Sequence, residues 1–222
     1  KAEDEEIKFM EDLGVGEEST KEECYRNTGR APVTTKFVRT NKGTKEIPDI
    51  RARLCGRDFK VKGGRDDLFA ATPPLEAKRM LFSRAATRRA DGRWRKLLFI
   101  DVKKAHLNPA CEEDVYVELP AEAGAEADEC GRLNFWLYGF RPAALAWEKH
   151  YSAKFEGVGF QKGIASGVVF YHRERDISLV VHGDDFTFCG LREDLEWIRD
   201  LMKEWYEVKV RAMLGGEERD DK

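Results

Sequence analysis

VVHGDD, residues 180–185, ends an apolar run with two adjacent aspartates and is followed by Phe186. Two neighbouring carboxylates repel each other unless water solvates both or a cation lies between them. The longer stretch SLVVHGDDFTFCG alternates around its centre, and Gly183 directly precedes Asp184. This pattern predicts a β-hairpin whose turn carries the two acids, although ordinary solvated turns show the same pattern.

A third aspartate follows a different apolar run. KLLFIDV, residues 96–102, has the length of a buried strand and carries Asp101 near its end. Burying an acid at such a position is costly unless its oxygens are satisfied. If this strand neighbours the hairpin, Asp101, Asp184 and Asp185 converge at one edge of a sheet. Carboxylates suit Mg²⁺, and two such ions about 4 Å apart support in-line phosphoryl displacement, so the acids indicate nucleotidyl transfer.

Charge is distributed unevenly along the 222 residues, although the formal net charge is only -3. Residues 1–23 carry 3 lysines and arginines against 10 acidic residues, and residues 105–222 carry 14 against 24. Residues 24–104 between them carry 22 against 8. This basic block predicts a surface that meets a polyanion, with a solvated charged face as the alternative.

Cysteine spacing and hydropathy indicate the compartment. The five cysteines are scattered and form no CxxC pair, which favours reduced thiols inside a cell over a disulfide framework or a zinc site. The N-terminal KAEDEEIKFM is acidic and has no apolar signal-type core, and no run of about 18 apolar residues occurs. We therefore expect an intracellular protein that is not secreted and has no membrane partner.

Hydrophobic periodicity predicts an α+β fold with a mostly antiparallel sheet and packed helices. The segment 120–132 is rich in small polar residues and is expected to be a surface loop. A Gly/Ser/Thr-containing loop is expected between the first helix and the first strand. The predicted helices are 2–13, 75–90, 143–156 and 192–206, and the predicted strands are 34–40, 50–59, 96–102, 168–173, 177–182 and 207–214.

Five longer motifs occur in one order: RARLCGRDF, FIDVKKAHL, EEDVYVELP, WLYGFRPAALAW and VVHGDDFTFCG, with GVGF at 157–160 before the last. They resemble successive segments of the reverse transcriptase domain of copia-type LTR retrotransposons. The second resembles the family's L-D-V-K-x-A-F-L, and the last stands where the family has Y-V-D-D. The resemblance runs from Glu5 to Gly215, which is nearly the whole chain.

The resemblance implies a right-hand polymerase built of fingers and palm. In such a domain Asp101, Asp184 and Asp185 are the catalytic residues and hold two Mg²⁺ ions, for which Mn²⁺ can substitute. The implied reaction is RNA-directed DNA synthesis, in which a primer 3′-hydroxyl attacks a deoxynucleoside triphosphate. The implied partners are an RNA or DNA template with its primer and the dNTP, and the implied location is a cytoplasmic particle or the nucleus.

The same resemblance assigns nucleotide binding to five further residues. Arg53 and Arg51 are expected to contact the incoming triphosphate, and Gly139 is expected to lie in the loop under the nascent base pair. His106 is expected to stack below the sugar, where the family has a bulky aromatic residue that excludes a 2′-hydroxyl. Val102, next to the first catalytic aspartate, completes the expected nucleotide-binding set.

The resemblance also predicts the domain layout. Residues 1–23 form an acidic N-terminal helix and linker, and residues 24–96 form a basic fingers-like region. Residues 97–215 form a palm-like catalytic region interleaved with the fingers in one reverse transcriptase domain. Residues 216–222 are expected to be a truncated tail, with the thumb absent, and the oligomeric state stays open.

Departures from the family pattern keep two alternatives open. Gly183-Asp184-Asp185 is more familiar from viral RNA-dependent RNA polymerases, but those carry a second aspartate where this chain has Ala105 and His106. Pro142 and Ala144 stand where the family has glutamine and proline. Together with the missing thumb, this favours the other alternative, a catalytically silent retroelement remnant that only binds nucleic acid.

Overall fold

Three sheets and five α-helices make up the described residues, 1–59 and 70–215, of this computed structural model. The helices are α1 (Ala2–Asp12), α2 (Lys21–Thr28), α3 (Leu75–Ala85), α4 (Ala143–Gly157) and α5 (Arg192–Trp205). The strands are β1 (Gly16–Thr20), β2 (Thr35–Asn41), β3 (Ile50–Gly56), β4 (Lys96–Val102), β5 (Tyr116–Val117), β6 (Glu129–Leu133), β7 (Phe160–Lys162), β8 (Val169–His172), β9 (Ile177–His182), β10 (Asp185–Gly190) and β11 (Val208–Leu214).

The pairs between these strands are all antiparallel, which confirms the expected α+β class. The chain divides into a first unit, Lys1–Leu68 with His106–Trp147, and a second unit, Phe69–Ala105 with Glu148–Lys222. The predicted tail at 216–222 lies outside the described residues, as does part of the predicted fingers-like region. Within the described part of the chain, none of the helices combines the length and the apolar character needed to cross a bilayer.

A six-stranded sheet in the order β11-β4-β10-β9-β8-β7 forms the centre of the second unit. Successive side chains of a strand point to opposite faces of the sheet. In the central strands β4 and β10, side chains on both faces are buried. Leu97 of β4 and Cys189 of β10 pack with Leu81 of α3 in one cluster. On β10, the alternate residues Phe186 and Phe188 place their rings within about 6 Å of the Phe155 ring of α4. This double burial explains why KLLFIDV is a continuous apolar run.

The first unit contains the basic hairpin and a small three-stranded sheet. The two strands predicted at 34–40 and 50–59 are present as β2 and β3, and they pair as a hairpin from Thr35 opposite Gly56 to Asn41 opposite Ile50. The other sheet has the order β1-β6-β5, and its core includes Trp136, Leu137 and Phe140.

Two expectations for the first unit are wrong. The predicted loop at 120–132 contains a 3-10 turn at Ala121–Ala123 and ends in β6, which is the central strand of its sheet. The region expected to be a loop before β2 contains β1 and α2. Strand β6 has small residues at its centre and is held by backbone pairing with β1 and β5. Its sequence therefore lacks the alternation of apolar and polar side chains that predicts a strand.

Helix α3 ends at Ala85, five residues before the predicted end. The following residues form turns instead, and Asp91 accepts hydrogen bonds from the side chains of Arg89 and Arg93. The backbone amide of Arg93 also donates to Asp91, which pins the turn. This segment brings arginines to the sheet that a continued helix would have directed elsewhere.

One arginine of α3 and two arginines that follow the helix converge on one carboxylate. Asp176 lies in the turn between β8 and β9 with a φ of 51°, and it accepts hydrogen bonds from Arg84 at 2.5 Å and Arg95 at 2.7 Å. Arg89 and the Tyr171 hydroxyl also donate to it. Burial raises the pKa of Asp176, but the hydrogen bonds from Arg95, Tyr171 and Arg84 outweigh it and hold the pKa below its ordinary value of 3.8.

We expect Asp176→Asn to destabilise the fold by about 2 kcal/mol. Breaking a buried ion pair costs about 3–5 kcal/mol and an exposed one less than about 1 kcal/mol, and this network is partly buried. Because the pKa of Asp176 is lowered in the folded protein, its contribution is present above pH 3.8 and is lost as the pH falls through the lowered pKa. Urea unfolding as a function of pH measures both effects.

The matched control is Asp114→Asn, because Asp114 pairs with Arg132 at 2.9 Å but half of its side chain is exposed. That variant should unfold nearly like the parent protein. Equal stability of the Asp176→Asn variant and the control would contradict the structural role of the arginine cluster.

Candidate active site

The GDD segment forms the tight turn between β9 and β10. Asp185 pairs with His182, so Gly183 and Asp184 are the two residues of the turn. Gly183 has a φ of 65°, and Asp184 is not among the residues with positive φ, which fits a type II′ turn. A side chain at Gly183 would be strained whatever the free space, so glycine serves the turn. The predicted hairpin with acids in its turn is confirmed.

The third acid lies on the neighbouring strand. Strands β10 and β4 pair antiparallel with Asp185 directly opposite Asp101, and the Val102 amide donates to the Asp184 carbonyl at 2.9 Å. Directly opposed residues point to the same face, with Cβ atoms about 4.5–5.5 Å apart. The register therefore brings all three predicted acids to one end of the six-stranded sheet.

The surroundings of Asp185 raise the pKa of its carboxyl group above the ordinary value. Burial raises the pKa of Asp185, and the negative charges of Asp184 and Asp101 raise it further. The positive charges of Arg211 and His182 partly offset this rise. The carboxylates of Asp184 and Asp101 therefore lie close enough to Asp185 to act on its charge.

Arg211 is a site residue that the sequence reasoning missed. Its Nη2 donates to Asp101 Oδ2 at 2.6 Å, although Lys209 is the residue directly opposite Asp101 in the β11–β4 register. The register shifts between Val210 and Ala212, so Arg211 is an extra residue in a β-bulge. An alternating strand such as EVKVRAML shows neither the partner strand nor the bulge, so no local pattern could have identified the contact.

The donor set fits a hard divalent cation in its chemistry. Carboxylate oxygens are the ligands that Mg²⁺ prefers, and Asp101 and Asp185 share one face of the sheet next to Asp184. Within residues 1–59 and 70–215, no group of three or more His, Cys, Asp or Glu side chains has a geometry that could hold a metal ion. One Asp101 oxygen instead accepts from Arg211. Binding of two ions therefore stays a prediction.

Three of the expected nucleotide-binding residues surround or adjoin one ring in the first unit. The Arg53 guanidinium lies 5.1 Å from the centroid of the Tyr138 ring, and the His106 ring meets the same ring edge-on at 5.5 Å. Gly139 follows Tyr138 with a φ of 84°. A Cβ at Gly139 would lie 2.3 Å from the backbone oxygen of Gly56, so the close approach of the two backbones requires glycine there.

The other two expected residues have different surroundings. Arg51 pairs with Asp49 at 3.3 Å near the start of β3. Val102 is fully buried on β4, and its backbone amide is the group bonded to the Asp184 turn. Their assignment to nucleotide binding stays a prediction, as does that of Arg53, His106 and Gly139.

An antiparallel sheet that brings three aspartates to one end is the arrangement expected of a nucleotidyltransferase. The profile of one family, described as Reverse transcriptase (RNA-dependent DNA polymerase), matches residues 24–214. The chain belongs to this reverse transcriptase family, because the match covers most of its length.

The chain is also similar in sequence to a retrotransposon polyprotein. The chain is 26% identical over 171 residues to "Retrovirus-related Pol polyprotein from transposon TNT 1-94" of Nicotiana tabacum. The match covers 73% of this chain but 12% of that protein, so the chain spans about an eighth of the relative's length. The expected resemblance to copia-type Pol reverse transcriptases is confirmed.

We expect Asp101→Asn to lower the pKa of Asp185 toward its ordinary value of 3.8, because a negative neighbour that raises this pKa is removed. A raised pKa means that Asp185 contributes stability below pH 3.8 that is lost as the pH rises through the raised value. Asp185 is exposed, so solvent screening limits this contribution to a few tenths of a kcal/mol. Carboxyl-carbon NMR titration measures the pKa directly.

The control for this titration is Asp200→Asn, because Asp200 lies on α5 and pairs with Arg199 at 2.9 Å. We expect that variant to leave the pKa of Asp185 unchanged. An unchanged Asp185 pKa in the Asp101→Asn variant would show that the two carboxylates do not interact.

Proposed function

We propose that this chain is the fingers and palm of an RNA-directed DNA polymerase from a copia-like retrotransposon. The observation that carries the proposal is the register of β4 and β10, which sets Asp101 opposite Asp185 with Asp184 in the adjoining turn. The family match and the Pol polyprotein relative support the same reaction class. The reaction joins a primer 3′-hydroxyl to the α-phosphate of a dNTP with release of pyrophosphate.

The three aspartates are the residues that would hold two Mg²⁺ ions. When bound, such ions activate the attacking hydroxyl and neutralise charge on the leaving group. The turn geometry at Gly183 presents Asp184 at the tip of the hairpin, and the amide of Val102 fixes that tip by its bond to the Asp184 carbonyl. The hairpin turn and this hydrogen bond position the Asp184 backbone before substrate arrives, and such positioning lowers the cost of organising a site for reaction.

The residues around Tyr138 are the proposed nucleotide contacts. Arg53 lies over the Tyr138 ring, and its always-charged guanidinium suits a triphosphate. His106 is held edge-on against the same ring, which fixes a bulky group at the position proposed to lie under the sugar. Arg51 would add a second cation, and Gly139 would let the backbone approach the nascent base pair.

The palm corresponds in this proposal to residues 97–215, and the basic fingers-like region to residues 24–96. The single antiparallel sheet that contains β4 and β7–β11 supports a palm, and the basic hairpin of β2 and β3 supports phosphate contacts by the fingers. The proposed partners are a primed RNA or DNA template and a dNTP. The proposed location is a cytoplasmic particle or the nucleus.

We expect Asp184→Asn to lower Mg²⁺-dependent primer extension on an RNA template by at least about a hundredfold, because losing one metal ligand removes several kcal/mol of transition-state stabilisation. Circular dichroism should show an intact fold, since Asp184 is exposed at the turn. The control is Asp200→Asn, which changes an exposed aspartate on α5 and should keep full activity.

Undiminished primer extension by the Asp184→Asn variant would overturn the mechanism. Nucleic-acid binding without primer extension by the parent chain would favour the catalytically silent remnant.

Sugar selection separates DNA synthesis from RNA synthesis. We expect the chain to incorporate dNTPs in preference to rNTPs, and we expect His106→Ala to reduce that preference by about tenfold because the bulky group below the sugar is lost. His106→Phe should retain the preference. The control is His150→Ala, since His150 lies on α4 with its ring 5.8 Å from Tyr206. A parent protein that prefers rNTPs would indicate an RNA-dependent RNA polymerase.

A further inference from the structure

Arg211 lies in a β-bulge at the edge of the six-stranded sheet. Lys209 and Val210 pair in order with Asp101 and Ile100, but the next pair joins Ala212 to Phe99. Arg211 therefore has no residue opposite it, and β11 is a terminal strand of the sheet. Arg211 lies two residues after Lys209, the residue opposite Asp101, so the two-residue period of a strand places Arg211 on the Asp101 side of the sheet.

The bulged arginine is bonded to a proposed metal ligand. Arg211 Nη2 donates to Asp101 Oδ2 at 2.6 Å, the short distance of a charge-assisted hydrogen bond. The Asp101 side chain is 19% exposed, whereas the Arg211 side chain is 51% exposed. The carboxylate is therefore fixed in place, while the arginine can leave it for water without moving through packed protein.

We propose that Arg211 is an internal counter-ion that occupies one oxygen of Asp101 and competes with a divalent cation for that carboxylate. This inference rests on the proposed two-ion function and adds a residue that controls how tightly the ions bind. An oxygen lone pair that accepts from a guanidinium is not available to a metal. The positive charge of Arg211 also lowers the negative potential of the three acids.

Among the positively charged groups near Asp101, Arg211 is the one that forms the ion pair with it. Lys209 is opposite Asp101 in register, but the ion pair is made by Arg211. His182 flanks the turn, and its Nδ1 lies 3.0 Å from Lys78 Nζ, so it has a partner of its own. The exchange of Arg211 for a cation thus keeps a positive charge beside Asp101 in both states.

The test is Mn²⁺ binding to the full chain without nucleic acid or nucleotide, measured by the EPR signal of free Mn²⁺. We expect Arg211→Gln to bind Mn²⁺ about threefold to tenfold more tightly than the parent protein, because a partly exposed ion pair and its repulsive charge are removed. Arg211→Lys should lie between them. Arg199→Gln, which removes an exposed arginine paired with Asp200, should not change the affinity.

The gain should disappear in the Asp101→Asn background, because the competition acts on that carboxylate. Thermal unfolding gives a second readout: without metal Arg211→Gln should melt lower than the parent protein, and Mg²⁺ should raise its melting temperature more. If Arg211→Gln does not fold, the intermediate affinity of Arg211→Lys carries the test.

The outcomes separate the inference from the proposed function. Mn²⁺ binding that Asp184→Asn abolishes but Arg211→Gln leaves unchanged or weakens would overturn the inference and keep the proposed function. Absence of Mn²⁺ binding in both the parent protein and Arg211→Gln would overturn both. Tighter binding by Arg211→Gln that persists in the Asp101→Asn background would also overturn the inference, since the competition would then lie elsewhere.

Discussion

The antiparallel register between β4 and β10 is the constraint on which the acid site depends. It places Asp185 opposite Asp101 and leaves Gly183 and Asp184 to close the hairpin. A slip of one residue would move each side chain to the other face and separate the carboxylates. The register is held by burial of both faces, with Leu97 and Cys189 on one side and phenylalanines on the other. Packing of the core thus holds the three carboxylates close together although their charges repel one another.

Strand β9 connects two charge clusters of opposite composition. At its start, Asp176 is one carboxylate that receives three arginines. At its end, the turn belongs to a group of three carboxylates of which one pairs with Arg211. Six strand residues separate the two groups by about 20 Å, beyond the Debye length at physiological salt. The cluster at Asp176 has an excess of positive charge, and the cluster at the hairpin turn has an excess of negative charge.

The sequence predicted those elements that neighbouring residues along the chain determine. The alternation around Gly183 predicted the hairpin, and the continuous apolar run before Asp101 predicted a buried strand. It failed where distant backbone pairing decides, as in β6, which is central in its sheet despite its small residues. It also failed at Arg211, because a bulge and a partner strand leave no trace in a single strand's pattern. The nucleotide-binding residues came from family resemblance and not from periodicity.

Anomalous diffraction from crystals of this chain grown with Mn²⁺ would locate the cation at the three aspartates without relying on activity. We expect a peak about 2.1 Å from oxygens of Asp101 and of at least one aspartate in the hairpin turn, with Arg211 moved off Asp101. No peak at these carboxylates at saturating Mn²⁺, with the Arg211–Asp101 ion pair intact, would contradict this expectation.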